Sequence, residues 1–137
     1  MNQLRLSIVT GALLLANGAF AGQTVYDCEI GSQEKYGWIS ERMVFLVDDA
    51  DQSVMVIDAI VKHVKGGPIP ATVRSVKNGK YKLKWTLRNI EARQGSYTGK
   101  YSATLDTSKA KVSTRASISG TDNRPSGHGK CKISKNK

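Results

Sequence analysis

The side chains able to do chemistry are few, and their spacing restricts them further. Cys28 and Cys131 are the only two cysteines, 103 residues apart. That distance excludes a C-x-x-C redox pair, and no clustered partners suggest a metal site. An even count in an oxidising compartment predicts one structural disulfide between them. There are two histidines, His63 and His128. His63 stands among Lys62 and Lys65, and His128 between Gly127 and Gly129 reads as a loop residue. Neither has a second ligand at zinc spacing. The acidic stretch Asp48-Asp49-Ala50-Asp51-Gln52-Ser53 offers a 1-3-5 calcium pattern from Asp49. An EF-type loop would then need glycine at 54 and glutamate at 60, where Val54 and Ile60 stand. The segment is expected to be a solvated hairpin tip. No G-x-S-x-G elbow, Walker loop or G-x-G-x-x-G run occurs. The residues therefore predict no catalytic site, no metal and no cofactor.

Charge is the chemistry that is left. The chain carries a formal net charge of +10. From Gly22 to Ile60 eight acids face two bases, a net of −6. From Val61 onward eighteen bases face three acids, a net of +15. Closure of a sheet sets some acids of the early strands against bases of the late ones, but the excess is too large to cancel. A cationic face for an anionic partner is the expectation that follows. Lys80 to Arg88 also mixes bases with aromatics, which invites a nucleic-acid reading. A stacking platform needs aromatics and cations on one face. Here the alternation separates them, so nucleic acid is not expected.

The elements that must position these charges are strands. In Lys80 to Arg88, residues Tyr81, Leu83, Trp85 and Leu87 share one face and Lys82, Lys84 and Arg88 the other. Tyr97 to Asp106 and Ala110 to Ile118 repeat the rule, with Lys100 and then Lys109, Lys111 and Arg115 outward. Earlier strands are expected at Val25–Ile30, Met43–Val47, Ser53–Val61 and Ala71–Val76, and a last one carries Cys131 and Ile133. Turn signals separate them, Asn78-Gly79 being the strongest. No amphipathic helix stands out, although Ile90 to Gln94 is compatible with one helical turn. About eight short strands predict an all-β fold, a small antiparallel up-and-down barrel closed by the Cys28–Cys131 disulfide. A β-sandwich is the alternative. In the barrel, Lys82, Lys84, Arg88, Lys100, Lys109, Lys111 and Arg115 are the candidate anion-binding residues. Like charges would then face each other across neighbouring strands, at a cost in stability. Small inward residues, Gly99, Ala103, Ala110 and Ala116, suit either the taper of a barrel or an apolar ligand inside it.

Residues 1–21 read as a secretory signal peptide. Arg5 precedes the apolar run Leu6–Ala16, and Ala19-Phe20-Ala21 places small residues for cleavage before Gly22. The run is short of the ~20 residues that span a bilayer. Residues 22–137 then form one domain, periplasmic or secreted. Outward Lys and Arg argue against a membrane-spanning barrel.

Tyr26-Asp27-Cys28, Cys131 and the strand pattern loosely resemble periplasmic inhibitors of c-type lysozyme, which implies a small barrel. Gly37-Trp38-Ile39, Gly66-Gly67-Pro68-Ile69-Pro70, Asp122-Asn123-Arg124 and Gly129-Lys130-Cys131 resemble an uncharacterised family of small secreted α-proteobacterial β proteins. That resemblance implies a compartment and no activity. The expected function is non-enzymatic binding through the basic outer face, with an anionic glycan, lipopolysaccharide or an acidic protein as partner. The alternatives are an inhibitor of a secreted enzyme, acting through the Gly31–Glu41 or Gly120–Gly129 loop, and a carrier of a small apolar ligand.

Overall fold

The computed structural model describes residues 22–33 and 36–135. The expected signal peptide, residues 1–21, lies outside them. Eight strands follow one another: β1 (Gln23–Gly31), β2 (Arg42–Asp48), β3 (Ser53–Asp58), β4 (Ile69–Lys77), β5 (Lys80–Ala92), β6 (Gly95–Asp106), β7 (Lys111–Ile118) and β8 (Ser126–Lys135). Each pairs antiparallel with the next, and β8 pairs with β1, so the sheet is a closed up-and-down barrel. Among the described residues no helix is long and apolar enough to cross a membrane.

Alternation builds the wall. Along β5 the lysines are exposed while Tyr81, Leu83, Trp85 and Leu87 are buried. Asn78 and Gly79 join β4 to β5 with φ of 54° and 77°, the left-handed pair that a two-residue hairpin needs. The barrel interior is aromatic at its centre. Trp85 stacks on Tyr101 with ring centroids 5.7 Å apart, and Phe45 meets Trp85 edge-on at 6.2 Å. Gly99 is small because Tyr101 covers it: a Cβ there would lie 2.6 Å from the Tyr101 ring. Its missing side chain is filled by packing.

The seam between β1 and β8 explains the sequence around Cys131. Cys28 and Cys131 stand directly opposite and are joined by the disulfide. Gly127 and Gly129 point inward on the same strand, where β1 comes close. A Cβ on Gly129 would run into the Glu29 carbonyl, and one on Gly127 would lie 2.8 Å from Ile30. These glycines serve a strand, and His128 between them is an exposed, outward residue of β8 rather than part of a loop.

Three further expectations are corrected. The strand expected over Ser53–Val61 stops at Asp58, and a helix follows: α1 (Ala59–Lys65). Asp58 Oδ1 accepts the Val61 N–H at 2.8 Å, and Gly66 ends the helix at φ 84°, donating its N–H to the Lys62 carbonyl. Both are standard capping devices, and they outweigh the β-branched composition of Ile60, Val61 and Val64. Val61 is the helix residue that is fully buried. Second, Ile90–Gln94 is not helical. β5 runs on to Ala92 through a bulge between Leu87 and Ile90, where Asn89 takes φ 58°. Third, Ala110 is not an inward strand residue. It closes the β6–β7 turn at φ 53°, after Asp106 Oδ1 has accepted the N–H groups of Ser108 and Lys109.

The topology sorts the connections. Short turns between β2 and β3, β4 and β5, and β6 and β7 lie at one end of the barrel. The longer β1–β2 and β7–β8 links and α1 lie at the other. There the Tyr101 hydroxyl donates to the Trp38 carbonyl at 3.1 Å, and Trp38 packs edge-on against Tyr97. The β1–β2 link is thereby fastened over the mouth.

Candidate anion-binding wall

The outward positions of β5 to β8 alternate between cations and hydroxyls. Lys84 pairs in register with Ser102, Ser102 with Arg115, and Arg115 with Ser126. One row away, Lys82 pairs with Thr104, Thr104 with Ser113, and Ser113 with His128. On the other side Thr86 pairs with Lys100, and Lys100 with Ser117. The expected confrontation of like charges across neighbouring strands is therefore corrected on this wall. The hydroxyl positions of β6 separate the lysines of β5 from Arg115, so the repulsion is spread over two strand spacings, about 10 Å. Direct like pairs occur at the edge instead, as Lys77 with Lys80 and Lys111 with Lys130.

The wall carries a groove of about 970 Å³. Its cationic lining is Arg74, Lys82, Lys84 and Arg115, with His128 at one side. Ser102, Thr104, Ser113 and Ser126 supply the hydroxyls between them. A smaller hollow of about 630 Å³ continues past Lys84 and Arg115 to Lys100 and Arg124. There the Arg124 guanidinium donates to the Ser117 hydroxyl at 3.2 Å. No outward strand position from β5 to β8 that lines either hollow is a carboxylate.

The seven residues singled out by sequence divide. Lys82, Lys84 and Arg115 line the groove, and Lys100 lines the adjoining hollow. Arg88 sits next to the Asn89 bulge, outside both. Lys109 belongs to the β6–β7 turn, and Lys111 is the register partner of Asp106 at the edge of the wall, outside both hollows. Sequence reasoning missed Arg74, Arg124 and His128. Arg74 lies at the irregularity where β4 shifts register between Val73 and Ser75, so simple alternation misplaces it. His128 was hidden by its glycines, although G-x-G beside a seam cysteine is itself a sign of close strand approach.

Other chemistry-bearing groups have structural roles. Asp48 and Asp51 accept backbone N–H groups two residues on, and Thr24 donates to Asp49 at 3.1 Å, so the acidic turn spends its carboxylates on its own conformation. Among the described residues no cluster of three His, Cys, Asp or Glu is placed to hold a metal. Burial pushes the Tyr26 and Tyr81 phenols up, and the Asp49 charge adds to the effect on both. Burial also pushes the Asp58 carboxyl up, against the backbone N–H groups that favour its charged form. Ser40 opposes burial too, but neither its Oγ nor Asp58 Oδ2 makes a hydrogen bond of good geometry. No family model, curated protein or solved structure matches the chain.

Proposed function

We propose that the protein is a non-enzymatic binding protein of the periplasm or the extracellular space, and that its β5–β8 wall takes an anionic glycan of the cell envelope. The carrying observation is the alternation of cations and hydroxyls around the groove. Successive outward lysines on a strand are about 7 Å apart, and cations two strands apart about 10 Å. A polysaccharide with repeated acid groups presents charge at comparable intervals and hydroxyls between. The groove floor suits both. Its outward strand positions carry no large apolar side chain, which an acyl chain or a protein interface core would require. The same feature favours a glycan over lipopolysaccharide bound through its lipid and over an acidic protein.

The test is titration with dextran sulfate, with neutral dextran and anionic lipid vesicles as comparisons. Dextran sulfate is expected to bind, and to weaken as salt rises. At about 1 kcal/mol per exposed contact, Lys82→Glu with Lys84→Glu should weaken binding about thirtyfold. Reversing Lys109 and Lys111, which lie outside the groove, should change it little. Equal binding by the Lys82/Lys84 variant, or vesicle binding as strong as glycan binding, would sink this reading.

A further inference from the structure

The opposite wall has a different chemistry. Strands β2 and β3 are apolar on both faces. Met43, Phe45, Val47, Val54 and Val56 fill the interior, while Val44, Leu46, Met55 and Ile57 point outward and are half-buried. In register, Val25 pairs with Leu46, Leu46 with Met55 and Met55 with Pro70, so an apolar row crosses four strands. Beside it Val44 pairs with Ile57. A strand that is apolar on both faces is normally covered on both.

This face opens into a groove of about 1,220 Å³ between the β1–β2 link and α1. Val44, Ile57 and Ile60 give it apolar walls, and Glu29 and Glu41 stand at its edge. Arg42 also lines it, but its guanidinium grips Asp27 through two hydrogen bonds of 2.8 and 2.7 Å. Those bonds hold the Asp27 carboxyl below its ordinary value. Among the described residues neither Glu29 nor Glu41 is in an ion pair, and Lys62 is the one other cation of the lining. The far end of the apolar face meets Asp48 and the acidic turn. Tyr36, 81 % exposed, projects from the link that forms one wall.

We infer that this groove docks a protein partner through a short segment combining an apolar side chain with lysine or arginine. The apolar lining supplies the buried contact, and Glu41 on the β1–β2 link supplies the sign, since Glu29 faces Lys130 across the seam. A second copy fits less well, because a two-fold contact would bury this patch against itself and supply no cation beyond Lys62 for Glu41. The two grooves meet at Gly31 and Ser32, but Val44 and Ile57 stand on strands other than those of Lys82, Lys84 and Arg115, so the inference does not depend on what the basic wall binds.

The test is selection of a random peptide library on the intact, disulfide-closed protein. Enriched peptides are then titrated by fluorescence anisotropy. Peptides carrying Lys or Arg beside Leu, Ile or an aromatic are expected to emerge. They should bind wild type and the Lys82→Glu/Lys84→Glu variant alike. Val44→Thr with Ile57→Thr, which keeps β-branched residues in the strands, should cost them about tenfold. Glu41→Lys, in an exposed link, should weaken them by about fivefold without touching the barrel. Three results would overturn the inference: no such peptides, equal affinity for both groove variants, or a wild-type dimer that Val44→Thr/Ile57→Thr dissociates.

Discussion

Removal of the disulfide tests the seam most directly. Cys28 and Cys131 close a loop of 103 residues. In the chain-entropy model such a link restricts the unfolded chain by about 4.7 kcal/mol. The folded side changes little, because β1 and β8 remain paired at eight register positions from Thr24–Lys135 to Gly31–His128. Cys28→Ala with Cys131→Ala should therefore fold to the same barrel, less stable by about 4–5 kcal/mol. For a domain of this size that is a fall in Tm of about 20 °C, and a large share of the usual 5–15 kcal/mol. Urea unfolding followed by the fluorescence of buried Trp85 measures it, with an increased m-value because the uncross-linked chain exposes more surface. A circular permutant sharpens the test. Thr24 is the register partner of Lys135, so the ends lie together and a short linker can join them. With the chain reopened at Asn78-Gly79, the same disulfide closes a loop of only about 15 residues and should contribute about 3 kcal/mol. A loss below about 1 kcal/mol in the original chain, or an equal loss in both, would refute the entropic account.

Two further outcomes follow from the same structure. Gly129→Ala should destabilise by about 3 kcal/mol or more, since the new Cβ meets the Glu29 backbone and only movement of a strand relieves it. Gly31→Ala, whose Cβ would lie in ordinary contact with the His128 carbonyl oxygen at 3.7 Å, should stay within about 0.5 kcal/mol, and the urea midpoints of the two variants compare them. Asp58→Asn should be more stable than wild type at neutral pH, because the raised carboxyl makes wild-type stability decline as pH rises from the ordinary 3.8 through the folded value. Below that window wild-type Asp58 is neutral in both states and the gain should vanish. Asparagine keeps the helix cap, whereas Asp58→Ala should lose about 1 kcal/mol of capping. A gain of equal size at pH 3 and pH 7 would mean that burial of the charge is not the cause.

Much of the barrel is legible where one face is wet. β5, β6 and β7 alternate cleanly because their outer faces meet water, and Asn78-Gly79 marks its hairpin without help from tertiary structure. Legibility fails where a second constraint acts on the same residues. Ile60, Val61 and Val64 look like strand, and only the caps at Asp58 and Gly66 reveal a short helix. Gly127 and Gly129 look like loop, although they are the residues that let β8 approach β1. Met43–Val47 reads as a continuous apolar run, and the period alone does not say that Val44 and Leu46 face outward. The basic wall was legible as a set of strands but not as a site. Register decides that Ser102 and Thr104 fall between the cations, and the shift near Arg74 brings that residue to the groove.

The division of charge along the chain has a geometric consequence in this topology. In an up-and-down barrel each strand neighbours the next, so position in the sequence becomes position around the circumference. A chain that is acidic early and basic late must therefore form a barrel that is acidic on one side and basic on the other. Compensation can occur at the two borders between the halves. At the seam it does bring opposite charges together, with Asp27 facing Lys132 and Glu29 facing Lys130. The centre of the β5–β8 wall lies away from that border and keeps its charge. The centre of the β2–β3 wall is likewise remote from most of the cations, and acids flank it at Glu41 on one side and Asp48 on the other. One sequence-level asymmetry thus produces two surfaces suited to partners of opposite sign. Reversing Lys82 and Lys84 should affect one of them and Glu41→Lys the other, each without moving its neighbour.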